Sequence, residues 1–283
     1  MKISHEIPLS MLSESRRFNN YDYCLCHLYD ELDVYRDFYK ASVKKKRHVL
    51  LDNSIFELGT AFDSKEYARI IQDLNPTEYI VPDSLENADE TIELYEQWRK
   101  DHLPKMPSDI KTIGVVQGKT YEDIKRCMEY MIKHNERIAI SFDYSLYEEI
   151  IPDEDLTKLE KFMYGRCKLL EMLDEEMLLP YNKSYHLLGC SLPQEYIIAN
   201  KYNYVKHMFY SADTSNPIVH GIHGIKYKDN NQGLDDKLSI KLADLIHHEV
   251  TPEQKADIKY NIKAFKDIIS NSQYSIALQT QLF

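Results

Sequence analysis

Eight short apolar runs, each ending in polar residues and most followed by a stretch of helical periodicity, constrain this chain more than any other feature. They fall at 4–12, 21–29, 48–54, 79–84, 112–118, 137–143, 184–191 and 207–214. Alternation of this kind marks β–α units and a parallel sheet. Eight units in roughly 250 residues are what a closed barrel needs. The expected fold class is α/β: a (β/α)8 TIM barrel over 1–214, followed by a C-terminal loop and helical appendage over 215–283 packed on it.

Helical patterns fit the gaps. One opens at Ser64 and runs to Asp73, another covers 86–101 with Ile92, Leu94, Tyr95 and Trp98, and a third runs from Tyr121 to His134 with Thr120 as its N-cap. The segment from Asp155 to Met177 is rich in Leu, Met and Glu, and its Met163, Leu169, Leu170, Met172 and Leu173 read as a packing face. Beyond the last strand, a polar stretch around Asp229 to Asp236 precedes helical patterns at 239–249 and 252–270.

Bulk properties narrow the function. No apolar run approaches the roughly 20 residues that span a bilayer, and the N-terminus lacks a signal-peptide core, so an intracellular protein without a membrane partner is expected. Five scattered cysteines (Cys24, Cys26, Cys127, Cys167, Cys190) suit buried thiols in a reducing compartment. Cys24-x-Cys26-His27, His220-x-x-His223 and His247-His248 offer too few ligands for a zinc site, and no metal or other cofactor is expected. A net charge of −11 argues against indiscriminate nucleic-acid binding. The basic run Lys44-Lys45-Lys46-Arg47 reads either as a solvated helix end or as a phosphate contact, and Lys201, Lys206, His207, Lys226 and Lys228 fall near other strand ends or loops.

Polar residues at the strand ends carry the chemistry. The runs terminate in Asp52-Asn53-Ser54, Pro82-Asp83-Ser84, Gln117-Gly118, Asp143, Gly189-Cys190-Ser191 and Asp213-Thr214-Ser215. In a parallel barrel all these ends meet on one face, where active sites of this fold assemble. An Asp after a strand is either a helix cap or a chemical group. Two carboxylates facing one substrate can divide into nucleophile and acid/base, as in retaining glycosidases. A further acid beside a glutamine matches the donor–donor–acceptor edge of guanine.

The blocks VLLDNSIFE (49–57), YIVPDS (79–84), IGVVQG (113–118), YHLLGCSLPQE (185–195) and HMFYSADT (207–214) resemble, in order and spacing, motifs of the tRNA-guanine transglycosylases and their relatives that insert 7-deazaguanine bases into DNA. The resemblance implies that Asp52 is the general acid/base, that Asp83 and Gln117 read the guanine edge, and that Gly189 lets the backbone approach the base. It extends base binding to Gly118, Ser54 and Phe56. The family's nucleophilic Asp follows Met-Phe directly, where this chain has Tyr210, so the expected nucleophile is Asp213, three residues later. A capping or turn role for Asp213 stays open. The family's structural zinc pattern is missing after the last strand, and its glycine-rich base-recognition segment is replaced by ISFDYS (140–145). These departures resemble the short virus-encoded, DNA-modifying members. The expected partners are therefore DNA, with tRNA as the alternative, and a free 7-deazaguanine base. A non-catalytic partner subunit of the family and a barrel enzyme acting on a small metabolite are the other readings.

Overall fold

The computed structural model describes residues 1–142, 144–195, 209–227 and 241–270. Eight parallel strands form one sheet: β1 Lys2–His5, β2 Asp22–Leu25, β3 Val49–Asp52, β4 Glu78–Ile80, β5 Lys111–Val116, β6 Arg137–Ile140, β7 Ser184–Leu187 and β8 Phe209–Thr214. Neighbours pair in the order β1-β8-β7-β6-β5-β4-β3-β2, so the sheet curls into a nearly closed (β/α)8 barrel. The seam between β1 and β2 is closed by single bonds instead of a ladder: Asn20 N–H donates to Ile3 O at 2.9 Å, and Ser4 Oγ to Tyr21 O at 2.9 Å.

Each of the eight runs overlaps a strand, but β1, β4 and β5 begin before their runs and most strands are shorter than their runs. The first occupies Lys2–His5, while Leu9–Met11 and Leu12–Ser15 are helical turns. Pro8 supplies no N–H to a ladder, so the strand stops before it. The second ends at Leu25, and Cys26 opens helix Cys26–Glu31, so Cys24 and Cys26 do not share a strand face. Helix Ser64–Leu74 is capped by Asp63, and Tyr121–His134 carries a full Thr120/Asp123 capping box. Lys158–Glu175 buries Met163, Leu169, Leu170 and Leu173 as a packing face, whereas Met177 beyond its end is exposed. Helix Asp33–Lys44, which the pattern did not announce, buries only Tyr35, Tyr39 and Ser42. Its apolar stripe is made of tyrosines.

After β8 the chain forms helix Asn216–Ile222, which packs on Pro252–Ser270 where Gly221 lies against Ile258. Asp143, Lys201, Lys206, His207, Lys228, the Asp229 to Asp236 stretch and the start of the 239–249 pattern lie outside the described residues. Within that pattern, Leu242–Leu245 is a short 3-10 helix. Among the described residues no helix is long and apolar enough to cross a membrane.

One buried ion pair sets the geometry of the functional end. Arg166, with no exposed surface, forms a bidentate pair with Glu195 (Nη2–Oε2 2.8 Å) and donates to Ile140 O at 3.0 Å and Leu188 O at 2.6 Å. It thereby ties the ends of β6 and β7 to the turn beyond Gly189. Removing one partner of a buried pair strands the other charge, at a cost of about 3–5 kcal/mol, whereas apolar replacement of both restores much of it. Arg166→Met is expected to lose about that much stability in denaturant unfolding, and adding Glu195→Leu is expected to recover more than half.

Candidate active site

At the C-terminal ends of the strands a cleft of about 960 Å³, counting its open mouth, is lined by residues from most of the barrel. Its walls bring together Asp52, Asp83, Gln117, Gly189, Asp213 and Phe56, all expected at the site.

Asp52 and Asp213 are held from the barrel interior by different partners. Tyr23 in β2 donates its hydroxyl to Asp52 Oδ2 at 2.7 Å, and Ser54 N–H donates to Oδ1 at 2.6 Å. Ser54 reaches that position through a left-handed backbone (φ 61°), uncommon for a residue with a side chain. Asp213 takes the Gly189 N–H on both oxygens, at 3.2 and 3.1 Å, and His186 Nε2 lies 3.0 Å from its Oδ1. Ser211 Oγ sits 2.9 Å from His186 Nδ1. The tautomer in which Ser211 donates to Nδ1 leaves Nε2–H donating to Asp213. Tyr23 and His186 stack 6.3 Å apart, 15° from parallel, so one aromatic pair supports both carboxylates.

The electrostatics of the cleft are those of crowded acids. Burial, followed by the charge of Glu57, pushes the Asp52 carboxyl well above its ordinary range, against the hydrogen bonds from Tyr23 and Ser54. Burial, then Glu57, Asp213 and Asp52, do the same to Glu6, which lines the cleft just beyond β1. Glu57 is pushed up to about 7, chiefly by burial and then by Asp213, while Lys241 pulls it back. Lys241 is the one cation among the described lining residues; its Nζ donates to Phe56 O at 2.8 Å and lies over the Phe56 ring.

Asp83 forms a second group deeper in the wall. It accepts from Asn53 Nδ2 at 2.5 Å and Gln117 Nε2 at 2.7 Å, and burial raises it to about 6 despite both bonds. Gln117 Oε1 accepts from Glu86 N at 3.0 Å, which fixes the amide's orientation.

Several expected site residues act differently from the expectation. Ser54 does not line the cleft; it orients Asp52. Gly118 does not line it either, because it packs on helix Tyr121–His134: a Cβ there would stand 2.7 Å from Asp123 Cβ and Ile124 N. Gly189 lines the cleft, yet its N–H is committed to Asp213. Lys44, Lys45, Lys46 and Arg47 precede β3 and therefore lie at the opposite end of the barrel from Asp52. Arg47 pairs there with buried Asp22 at 2.8 Å. Tyr210 also belongs to that lower end, with Lys2 bonded to its hydroxyl and Arg137 over its ring. Asp213, not the residue after Met-Phe, is thus the acid of β8 that reaches the cleft.

Sequence reasoning missed Tyr23, His186, Glu6, Glu57 and Lys241. Tyr21 and Tyr23 alternate along β2, and a polar atom at that period was the available signal. Neither the family scan nor the search of curated proteins finds a match to the chain. Among the described residues no cluster of three or more potential metal ligands forms, and all five cysteines are free and buried. His220 and His223 each place Nδ1 on the carbonyl four residues earlier, at 3.0 and 2.8 Å.

An acid whose folded pKa is raised contributes stability below its unfolded value and loses it as pH rises through the folded one. Glu6 is raised from 4.5, so its burial favours the fold most at acid pH. Buried His5, lowered to about 4 by burial, works in the opposite direction below its ordinary 6.5. The difference between variant and parent isolates the acid. Glu6→Gln is expected to raise the melting temperature relative to the parent by about 2–4 °C at pH 8 and by less at pH 4.5, read by calorimetry.

Proposed function

We propose that this protein is a base-exchanging transglycosylase that replaces guanine in DNA with a 7-deazaguanine base through a covalent glycosyl-enzyme. The observation that carries the reading is one rim holding two carboxylates with unlike partners beside an acid–amide pair. Asp213 is held by the Gly189 N–H on both oxygens, which orients its carboxylate for attack on C1′. Asp52, raised by burial and by neighbouring charge, keeps a proton to give to the leaving guanine. The C1′–N bond breaks as the C1′–O bond to Asp213 forms. The entering base then gives its ring proton to Asp52 and attacks C1′, so two inversions retain configuration.

Recognition of guanine falls to Asp83 and Gln117. Each Asp83 oxygen has a lone pair beyond the donors it already accepts, enough for the ring N–H and exocyclic amine of guanine. Gln117 keeps one amide hydrogen for the guanine carbonyl. Asn53 holds Asp83 from behind and is itself fixed by bonds to Val81 O at 2.8 Å and from Ile55 N at 3.1 Å. The target base must leave its stack, which costs a few kcal/mol in a duplex and less in a single strand.

A second reading keeps the chemistry and shrinks the substrate to a free nucleoside. It is favoured by the acid rim, where Glu6, Asp52, Glu57, Asp83 and Asp213 face one cation among the described lining residues, Lys241. Phosphate contact draws on clustered Lys and Arg.

Labelled guanine supplied with single-stranded DNA, duplex DNA, tRNA or deoxyguanosine separates these substrates. Incorporation is expected into DNA, best into single strands, and Asp52→Asn or Asp213→Asn is expected to lower it by at least about 100-fold. Label entering only tRNA or only the nucleoside would move the substrate accordingly. Retention of parental exchange by both variants would overturn the catalytic assignment.

A further inference from the structure

Four carboxylates share the mouth of the cleft: Glu6 beyond β1, Asp52 at the end of β3, Glu57 in the short helix Ile55–Leu58, and Asp213 in β8. The transglycosylase chemistry uses two of them. Like charges crowded into a partly buried space cannot all ionise, so the group retains a proton near neutrality. Where that proton resides depends on which acid has a partner able to turn round.

Asp213 takes the Gly189 N–H, which can only donate, on both oxygens, and His186 Nε2–H on Oδ1 in the tautomer in which Ser211 donates to Nδ1. A proton there would displace those bonds. The Oδ2 of Asp52 meets a hydroxyl, that of Tyr23, which can reverse and accept from a protonated carboxyl. Asp52 is thus the acid whose protonated form fits the existing bonds. Glu57 lies one helical turn beyond it, half-buried, and among the described residues no other side chain bonds its carboxylate. The groups that feel or face Glu57 come from every side of the mouth: Glu6, Tyr23 and Cys26, Asp52, Asp213 and Lys241. Lys241 is the single cation in that set, and it is turned onto the carbonyls of Phe56 at 2.8 Å and Glu57 at 3.5 Å.

We propose that Glu57 is a positioning residue for the catalytic proton: its negative charge, placed beside Asp52 and opposite Asp213, keeps the shared proton on Asp52 until the leaving base takes it. When Asp52 gives its proton to the departing guanine, two carboxylates are left facing each other at the mouth. That repulsion is relieved when the entering base returns a proton to Asp52, so the site is reset without outside acid or base. Glu57 touches neither the sugar nor the base in this scheme and acts only through Asp52. The chemical role rests on the transglycosylase reading, whereas the coupling between the two acids does not.

The test is a carboxyl-¹³C NMR titration of the full chain labelled at Asp, with the Asp52 signal assigned by its loss in Asp52→Asn. In Glu57→Gln the Asp52 midpoint is expected to fall by about one pH unit or more, and in Glu57→Asp to stay near the parental value. Glu57→Ala serves as a second charge-removing variant, so an ill-folded glutamine variant does not end the test. The alkaline limb of guanine release from DNA is expected to move down by the same amount in the charge-removing variants. An Asp52 midpoint within about 0.3 unit of the parent in either folded charge-removing variant overturns the proposal, since a neighbouring like charge must shift it. A parent protein that releases no guanine would instead overturn the transglycosylase reading, and the titration would still decide the coupling.

Discussion

Tyr23 and His186 stack in the barrel interior from strands that are not neighbours, and each holds one carboxylate of the cleft. Asp52 and Asp213 are 161 residues apart, and only closure of the sheet brings them to one rim. The aromatic pair then converts proximity into orientation. Tyr23 is itself tied by Tyr39, whose hydroxyl bonds to the Tyr23 carbonyl, and His186 by Ser211. Even the register irregularity between β7 and β8 serves this arrangement: Tyr185 pairs with Phe209 but His186 with Ser211, which sets Tyr210 at the lower end and Asp213 at the upper.

Much of the fold was legible because barrel strands buried on both faces write themselves as apolar runs, and parallel topology forces helices between them. The helix after β5 was legible for a local reason, the Thr120 side chain that satisfies a free backbone donor. The first two strands were overextended because SHEIPLSML and YDYCLCHLY continue apolar after the ladder ends; Pro8 and the turn into Cys26–Glu31 stop them. Helix Asp33–Lys44 escaped notice because tyrosines do the work of leucines.

At the site, carboxylates at strand ends could be read from their position alone, since every strand end points to one face. What could not be read is depth. Ser54 and Gly118 stand next to cleft residues in sequence but face the backbone and a helix. Lys44 to Arg47 abut the same strand as Asp52, yet a four-residue strand separates the two ends of a barrel. Arg47 of the basic run belongs to a lower ionic layer with Asp22, where Glu78, Arg137 and His48 also pair. The upper end is acidic: burial first, and then the charge of Glu57, raises the proton affinity of Asp52, while Lys241 draws down that of Glu57.

The proposed reaction turns on covalent attack by Asp213. Acid-quenched protein incubated with single-stranded DNA and no incoming base, then digested and mapped by mass spectrometry, would locate any glycosyl adduct. A DNA adduct is expected on the peptide carrying Asp213, accumulated in the parent and absent from Asp213→Asn. An adduct on another residue, or base exchange that proceeds with no adduct at all, would contradict it.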